Sequence, residues 1–336
     1  MNPVNRIIDL ARAASRRIVL AEGADPRVID AAIRADRDGL ARIALVGPAS
    51  QIADAIVQRG GDPARFAIED PQTSPLTGPF ADAYLEMRRH KGVDAMKARA
   101  AVSDAVGFAG MLLREGHADG MIAGAVVTTA HTIRTAFQII GRAPGVNTVS
   151  SFFLMIMNEP HHVREGTFVF ADCALVVEPT AEELADIAIA AAQNYTAIME
   201  EEARVAMLSF STMGSASHER VRKVAEATNL VRAARPDLKV DGEMQFDAAF
   251  VPAVNKSKAP GSVTGGEANV FIFPNLESAN IGYKIAQRIG NAIAIGPVLQ
   301  GLAKPVNDLS RGCSADDIYS LIAVTSLQAA SSTPKS

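Results

Sequence analysis

Short β-rich apolar runs alternate with longer stretches of helical period along nearly the whole chain, and few architectures accept that alternation. Residues 18–21 read as a strand. Asp25-Pro26 then opens a helix, a capping residue followed by proline at the first helical position, and Gly39 closes it. Residues 43–46 form the next strand, ended by Gly47-Pro48. The same reading places strands at 66–68, 120–123, 148–157, 167–177, 205–210 and 269–273, with helical patterns between most of them. The expected fold is therefore a doubly wound α/β protein with largely parallel sheets. Ala143-Pro144-Gly145 is the linker candidate, and Gly296-Pro297 is a second break after which the chain returns to its first domain. The expected domains are 1–146 completed by 297–336, and 147–296. A last helix covers about 315–330, followed by a serine-rich tail expected to fray.

The chain's 336 residues suffice for two domains, and 48% apolar with 21% charged content supports a sizeable core. The formal net charge is -4 with no block of like charge, so neither a nucleic-acid groove nor a membrane-binding face is indicated. The longest strongly apolar run, 152–157, is far too short to span a bilayer. Cys173 and Cys313 lack paired spacing, which argues against a disulfide framework and for a reducing, cytoplasmic setting. Arg6, Arg12, Arg16 and Arg17 give the N-terminus the charge of a transit peptide. Asp9 and the spacing of Ile7, Ile8, Leu10 and Ala11 instead predict an ordinary first helix.

Several common motifs are missing. There is no GxGxxG, HExxH or CxxC. Gly296 and Gly301 have the glycine spacing of a Walker A loop, but Leu302-Ala303 stand where Lys and Ser or Thr belong. His161-His162 with Glu165 read better as a solvated loop than as a metal site, so no metal is expected. The strongest positive signal is KPVNDLSRGCSADDI, residues 304–318. It sets a hydroxyl (Ser310), a fixed positive fork (Arg311) and a carboxylate (Asp317) across a loop–helix junction. Ser314 with Asp317 three residues on makes a capping box, which accounts for Asp317 without any chemistry. Arg311 is harder to explain structurally. A cation just before a helix N-terminus opposes the dipole unless an anion lies between, and a phosphate there would be held by Arg311 and the helix amides. A structural salt bridge is the alternative. Two further loops lie after a strand and before a helix, where ligands of open α/β sheets bind. One is the hydroxyl-rich stretch 209–217; the other is 124–134, which carries Arg134. Met87-Arg88-Arg89-His90-Lys91 adds a basic cluster, in which Arg89 and Lys91 read as solvated face.

Taken together, FADCALVVEPTAEELADIA, VAMLSFSTMGSA, RPDLKVDGEMQFDAA, KAPGS, ANVFIFPNLESANIGYKIAQRIG and GPVLQGLAKPVNDLSRGCS resemble the phosphate acetyltransferase (phosphotransacetylase) family. The resemblance covers nearly the whole chain and is densest over 170–330. It implies the reaction acetyl-CoA plus phosphate to acetyl phosphate plus CoA, with CoA and acetyl-CoA as substrates and no cofactor. It also implies two α/β/α domains with a cleft between them, isocitrate/isopropylmalate dehydrogenase-like, usually as a homodimer. The family's essential arginine falls on Arg311, with its neighbouring serine on Ser310 and its proposed base on Asp317. Arg288 matches another functional arginine, Thr129 a residue of the phosphate or thioester pocket, and Arg88 and Arg134 two arginines associated with CoA. Three departures stand out: Met213 replaces a lysine, Val127-Thr128 stand where His-Ser/Thr is common, and Thr135 follows Arg134 in place of proline. A phosphate butyryltransferase or another acyl-CoA:phosphate transferase would use the same anion apparatus. Cys313, two residues from Arg311, offers a covalent route if its thiolate is favoured, or is a spectator.

Overall fold

The computed structural model describes residues 3–331, and the serine-rich tail beyond Ser331 lies outside them. The chain divides into two compact units, one of Asn5–Ala143 joined by the segment from Leu302 onward, the other centred on Pro144–Gly301.

The first unit runs α1 (Pro3–Ala14), β1 (Arg17–Leu20), α2 (Pro26–Arg37), β2 (Arg42–Val46), α3 (Ala49–Gln58), β3 (Ala67–Glu69), α4 (Thr77–Arg88), α5 (Ala95–Ser103), α6 (Ala105–Arg114), β4 (Gly120–Ala123) and α7 (Thr129–Ile139). α2 starts as its sequence dictates: the Asp25 side chain accepts the Arg27 N–H, Pro26 takes the first position, and Gly39 past the end adopts φ +66°. All four residues of β4 are buried, as expected of a parallel strand covered on both faces. Phe80 and Phe108, 5.2 Å apart between ring centroids, lead a core that includes Met111, Ile139 and Val306.

The second unit contains β5 (Ser150–Met157), β6 (Gly166–Ala171), α8 (Ala181–Met199), β7 (Arg204–Leu208), α9 (Glu219–Ala234), β8 (Lys239–Met244), α10 (Phe246–Phe250), α11 (Pro252–Lys258), β9 (Val270–Ile272), α12 (Leu276–Arg288) and β10 (Ile293–Gln300). Its sheet has the order β10-β5-β6-β9-β7-β8. β6, β9, β7 and β8 are parallel, while β5 runs antiparallel to both β6 and β10. The strand expected over 167–177 stops at Ala171, because Asp172 turns the chain and accepts the N–H groups of Ala174, Leu175 and Val176. Gly296-Pro297 does not end a strand but lies inside β10. That is an edge strand, and its register shifts between Ile295 and Val298, the setting in which a sheet tolerates proline.

The chain then adds β11 (Val306–Asp308) and α13 (Ala315–Ser331) to the first unit. β11 pairs parallel with β4, completing a five-stranded, all-parallel sheet of order β11-β4-β1-β2-β3. The Asn307 amide donates to Thr325 Oγ1 and Gln328 Oε1, both 2.8 Å, and so ties this last strand to α13.

Candidate active site

β11, β4 and β1 are neighbours in the first unit's sheet, so the loops leaving their carboxyl ends meet. Three side chains organise that meeting. Glu22, just after β1, accepts four successive amides of the loop after β4: Gly124 at 2.9 Å, Ala125 at 2.6 Å, Val126 at 2.8 Å and Val127 at 2.7 Å. Arg27, in the first turn of α2, is fixed by Asp25 and donates to Ala125 O (2.8 Å), Arg311 O (2.8 Å) and Cys313 O (3.0 Å). Asp308, the last residue of β11, accepts the Thr129 hydroxyl at 2.6 Å. Asp308 is only 1% exposed. Burial pushes its carboxyl up to about 6, with the Thr129 hydroxyl pulling the other way, the nearby Thr132 hydroxyl doing so at poorer geometry, and the charge of Glu22 adding to the rise. Gly124 is needed there twice over. Its φ is +105°, and a Cβ would sit 2.4 Å from Asp308 Oδ1 and 2.7 Å from Leu309 O.

None of Glu22, Arg27 and Asp308 stands out in the sequence, yet each shapes a loop that does. The amides of 124–127, in a loop expected to lie where ligands of open sheets bind, are filled by Glu22 and are not open to a ligand. The hydroxyl-rich loop in the second unit is filled in the same way. Buried Glu243 accepts from Ser211 Oγ and Gly214 N, both at 2.8 Å.

The Ser310–Cys313 segment is a tight turn, with Cys313 N–H donating to Ser310 O at 2.9 Å and Gly312 N–H to Ser310 Oγ at 3.3 Å. Because Arg27 holds the carbonyls of Arg311 and Cys313 from behind, the turn presents Ser310 and Arg311 exposed. Asp317 forms the capping box: its Oδ2 accepts Ser314 N–H (2.8 Å) and Ser314 Oγ–H (2.9 Å), and its own N–H reaches Ser314 Oγ at 3.2 Å. It is exposed in the first turn of α13. Cys313 is buried, and burial pushes its thiol up, outweighing the downward pull of Arg27, so a resting thiolate there is disfavoured.

Thr129 begins α7 behind the Thr128 cap. Arg134, exposed on the same helix, lines a pocket of about 290 Å³ with Tyr84, Asp104, Gly107, His131 and Gln138. His131 Nε2 lies 3.0 Å from Asp104 Oδ2, which also caps α6 through Gly107 N–H. Arg88 closes α4, and its Nε is buried without a hydrogen-bond partner. Arg288 is the exposed last residue of α12, in the second unit. His161 and His162 both meet Gly290 O, at 3.0 and 2.7 Å. Among the described residues no group of three or more His, Cys, Asp or Glu is placed to hold a metal.

A family profile described as "Phosphate acetyl/butaryl transferase" matches residues 3–326. The chain belongs to this phosphate acetyl/butyryl transferase family. Among curated members of the family, a phosphate acetyltransferase from Paracoccus denitrificans is 49% identical over 328 residues, 98% of this chain and 99% of its own. A phosphotransacetylase of known structure from Streptococcus pyogenes matches with a TM-score of 0.90 at 42% identity, over 97% of this chain and 98% of its own. At the level of fold alone, a 4-hydroxythreonine-4-phosphate dehydrogenase from Burkholderia phymatum matches with a TM-score of 0.50 at 14% identity, over 94% of this chain and 98% of its own. The family fold is thus a dehydrogenase-like α/β architecture: the alternation of strands and helices predicted the α/β class, and the family resemblance its dehydrogenase-like form.

Proposed function

We propose that the chain is a phosphate acetyltransferase, moving an acetyl group between CoA and inorganic phosphate by direct transfer in a ternary complex. The observation that carries the roles is the Ser310–Arg311 turn, pinned through its carbonyls by Arg27 at the carboxyl edge of a parallel sheet. An exposed guanidinium fork carried on a backbone pinned that way is suited to bidentate contact with phosphate. In the direction that consumes acetyl phosphate, the CoA thiol loses its proton to Asp317 as sulfur attacks the carbonyl carbon. The carbonyl electrons move onto oxygen, then return as the C–O bond to phosphate breaks, giving acetyl-CoA and inorganic phosphate. Arg311 and Arg288 hold the departing phosphate, and Ser310 donates to the developing oxyanion. Arg88 and Arg134 bind CoA, Thr129 contacts the phosphate, and orientation of two bound substrates supplies much of the rate. A thiol near ~8.5 and an aspartate near ~3.9 differ by roughly 6 kcal/mol, so proton transfer concerted with attack is the favoured route.

The test is thiol release from acetyl-CoA with and without phosphate. Release that needs phosphate supports the reading, and release independent of it makes the protein a thioesterase. Arg311→Lys is expected to lower kcat/KM about 100-fold, since an ammonium cannot reproduce the fork. Asp317→Asn is expected to lower kcat by about 100-fold or more with little change in KM, and a near-wild-type rate would remove the base assignment. Comparing kcat/KM for acetyl-, propionyl- and butyryl-CoA separates acetyl from longer acyl preference.

A cytoplasmic homodimer completes the reading. No described helix is long and apolar enough to cross a membrane. The dimer is supported by an exposed stripe along α12 and its C-cap, where Ile281, Ile285 and Ile289 are 58%, 53% and 82% exposed, with Ile293 on the edge strand β10 following in sequence.

A further inference from the structure

We propose that Asp308 is a positioning residue that sets the polarity of Thr129: by taking the hydroxyl proton, it turns Thr129 into a hydrogen-bond acceptor for the proton-bearing oxygen of hydrogen phosphate. This rests on the phosphate-transfer reading above and changes one part of it, because a family-like pocket hydroxyl would otherwise be free to donate.

A hydroxyl has one proton. The Thr129 proton is committed to Asp308 Oδ2 at 2.6 Å, so the lone pairs of Oγ1 are what remain for a ligand. Thr129 is exposed at the start of α7, while its partner lies behind it at 1% exposure. Asp308 is held rigidly. It is the last residue of a strand paired with β4, and the residue before it is bonded twice to α13. Its Oδ1 is buried against Gly124 with no well-formed hydrogen bond; the buried Thr132 hydroxyl, itself unpaired, is near enough to lower the carboxyl's pKa but is not placed to bond it. A carboxylate kept half-satisfied in a closed site, with its other oxygen on a surface-facing hydroxyl, is costly for stability and needs a reason. The charged groups on surrounding elements are Glu22 after β1, His131 and Arg134 on α7, and Asp316 and Asp317 on α13. Glu22 is the one whose charge acts on Asp308 most strongly, and it raises the carboxyl. When the carboxyl takes up a proton near pH 6, it donates to Thr129 Oγ1, and Thr129 then donates outward instead. The site's preference for a proton-bearing phosphate oxygen is thereby lost in acid.

Asp308→Asn is expected to lower kcat/KM for phosphate at least tenfold at pH 7.5, leave KM for acetyl-CoA unchanged, and abolish the acid limb of the profile near pH 6. Thr129→Val should give the same loss, Thr129→Ser should restore it, and the double variant Asp308→Asn/Thr129→Val should be no worse than Thr129→Val alone. Equal losses for both substrates, additive losses in the double variant, or an intact acid limb would overturn the proposal. A carboxyl-carbon NMR titration of Asp308 tests the link without any turnover: its midpoint should rise in Thr129→Val, where the stabilising donor is gone, and an unchanged midpoint sinks the idea. If the wild type shows no phosphate-dependent thiol release, the reaction assignment fails, while the titration still decides whether Asp308 and Thr129 are coupled.

Discussion

Asp308 is a buried acid whose cost is written into the pH dependence of stability. Its carboxyl titrates at about 6 in the folded protein, above the ~3.9 of a free aspartate. Between those values the folded state holds a proton that the unfolded chain has released, so stability falls as pH rises through that window. The fall is about 3 kcal/mol, at ~1.36 kcal/mol per pKa unit. Asp308→Asn removes it. The variant should melt several degrees above wild type at pH 8, with the gap closing below pH 4. Thermal melts at the two pH values measure this, and equal gaps at both would refute it. At this scale the sequence was only half legible. Ser310, Arg311 and Asp317 stand out because a hydroxyl, a cation and a carboxylate crowd one helix start. Glu22, Arg27 and Asp308 do not, since a single charged residue at a strand end looks like any solvated one. The only trace they leave is Gly124, whose positive φ and pressed-in backbone report a close neighbour that the sequence does not name.

At the scale of elements, one device recurs in both units. A carboxylate within or just past a strand accepts the amides of a loop. Glu22 does so for 124–127 and Asp172 for 174–176, where Ser151 also donates to it. Asp241 takes the N–H groups of Val263 and Thr264, and Glu243 that of Gly214. Each satisfies loop donors, most of them partly buried, that would cost up to about 1–3 kcal/mol apiece if left unpaired away from water. Glu22→Gln replaces two acceptor oxygens by one and turns an NH₂ toward two N–H groups. It is expected to destabilise the protein by about 2 kcal/mol or more, and to speed amide hydrogen exchange selectively at 124–127. Uniform exchange across the sheet would contradict this. The central strands were readable because helices cover both their faces and they are apolar throughout. β8, β10 and β11 were missed for physical reasons. KVDGEM mixes charges into an edge strand, IAIGPVLQ carries a glycine and a proline that an edge can absorb, and β11 has three residues.

For the molecule as a whole, the apolar stripe of α12 is the feature that a single chain leaves unexplained. α12 buries only Ala279, which is unusual for a 13-residue helix that also carries Leu276, Ile281 and Ile285. Under the proposed dimer, Ile285→Glu should convert the protein to monomers in sedimentation velocity runs while circular dichroism stays unchanged. An unaltered sedimentation coefficient would place the interface elsewhere. The expected fold class survives at this scale because alternation of strands and helices is a global property that no single misread boundary disturbs. The site's roles rest instead on individual atoms.

The carboxylates that plug the loops also bear on how binding is felt by a calorimeter. Walls already stitched by their own acids need no ordering when phosphate arrives. Its association should therefore show a heat-capacity change near zero and an entropy term free of chain-freezing penalties.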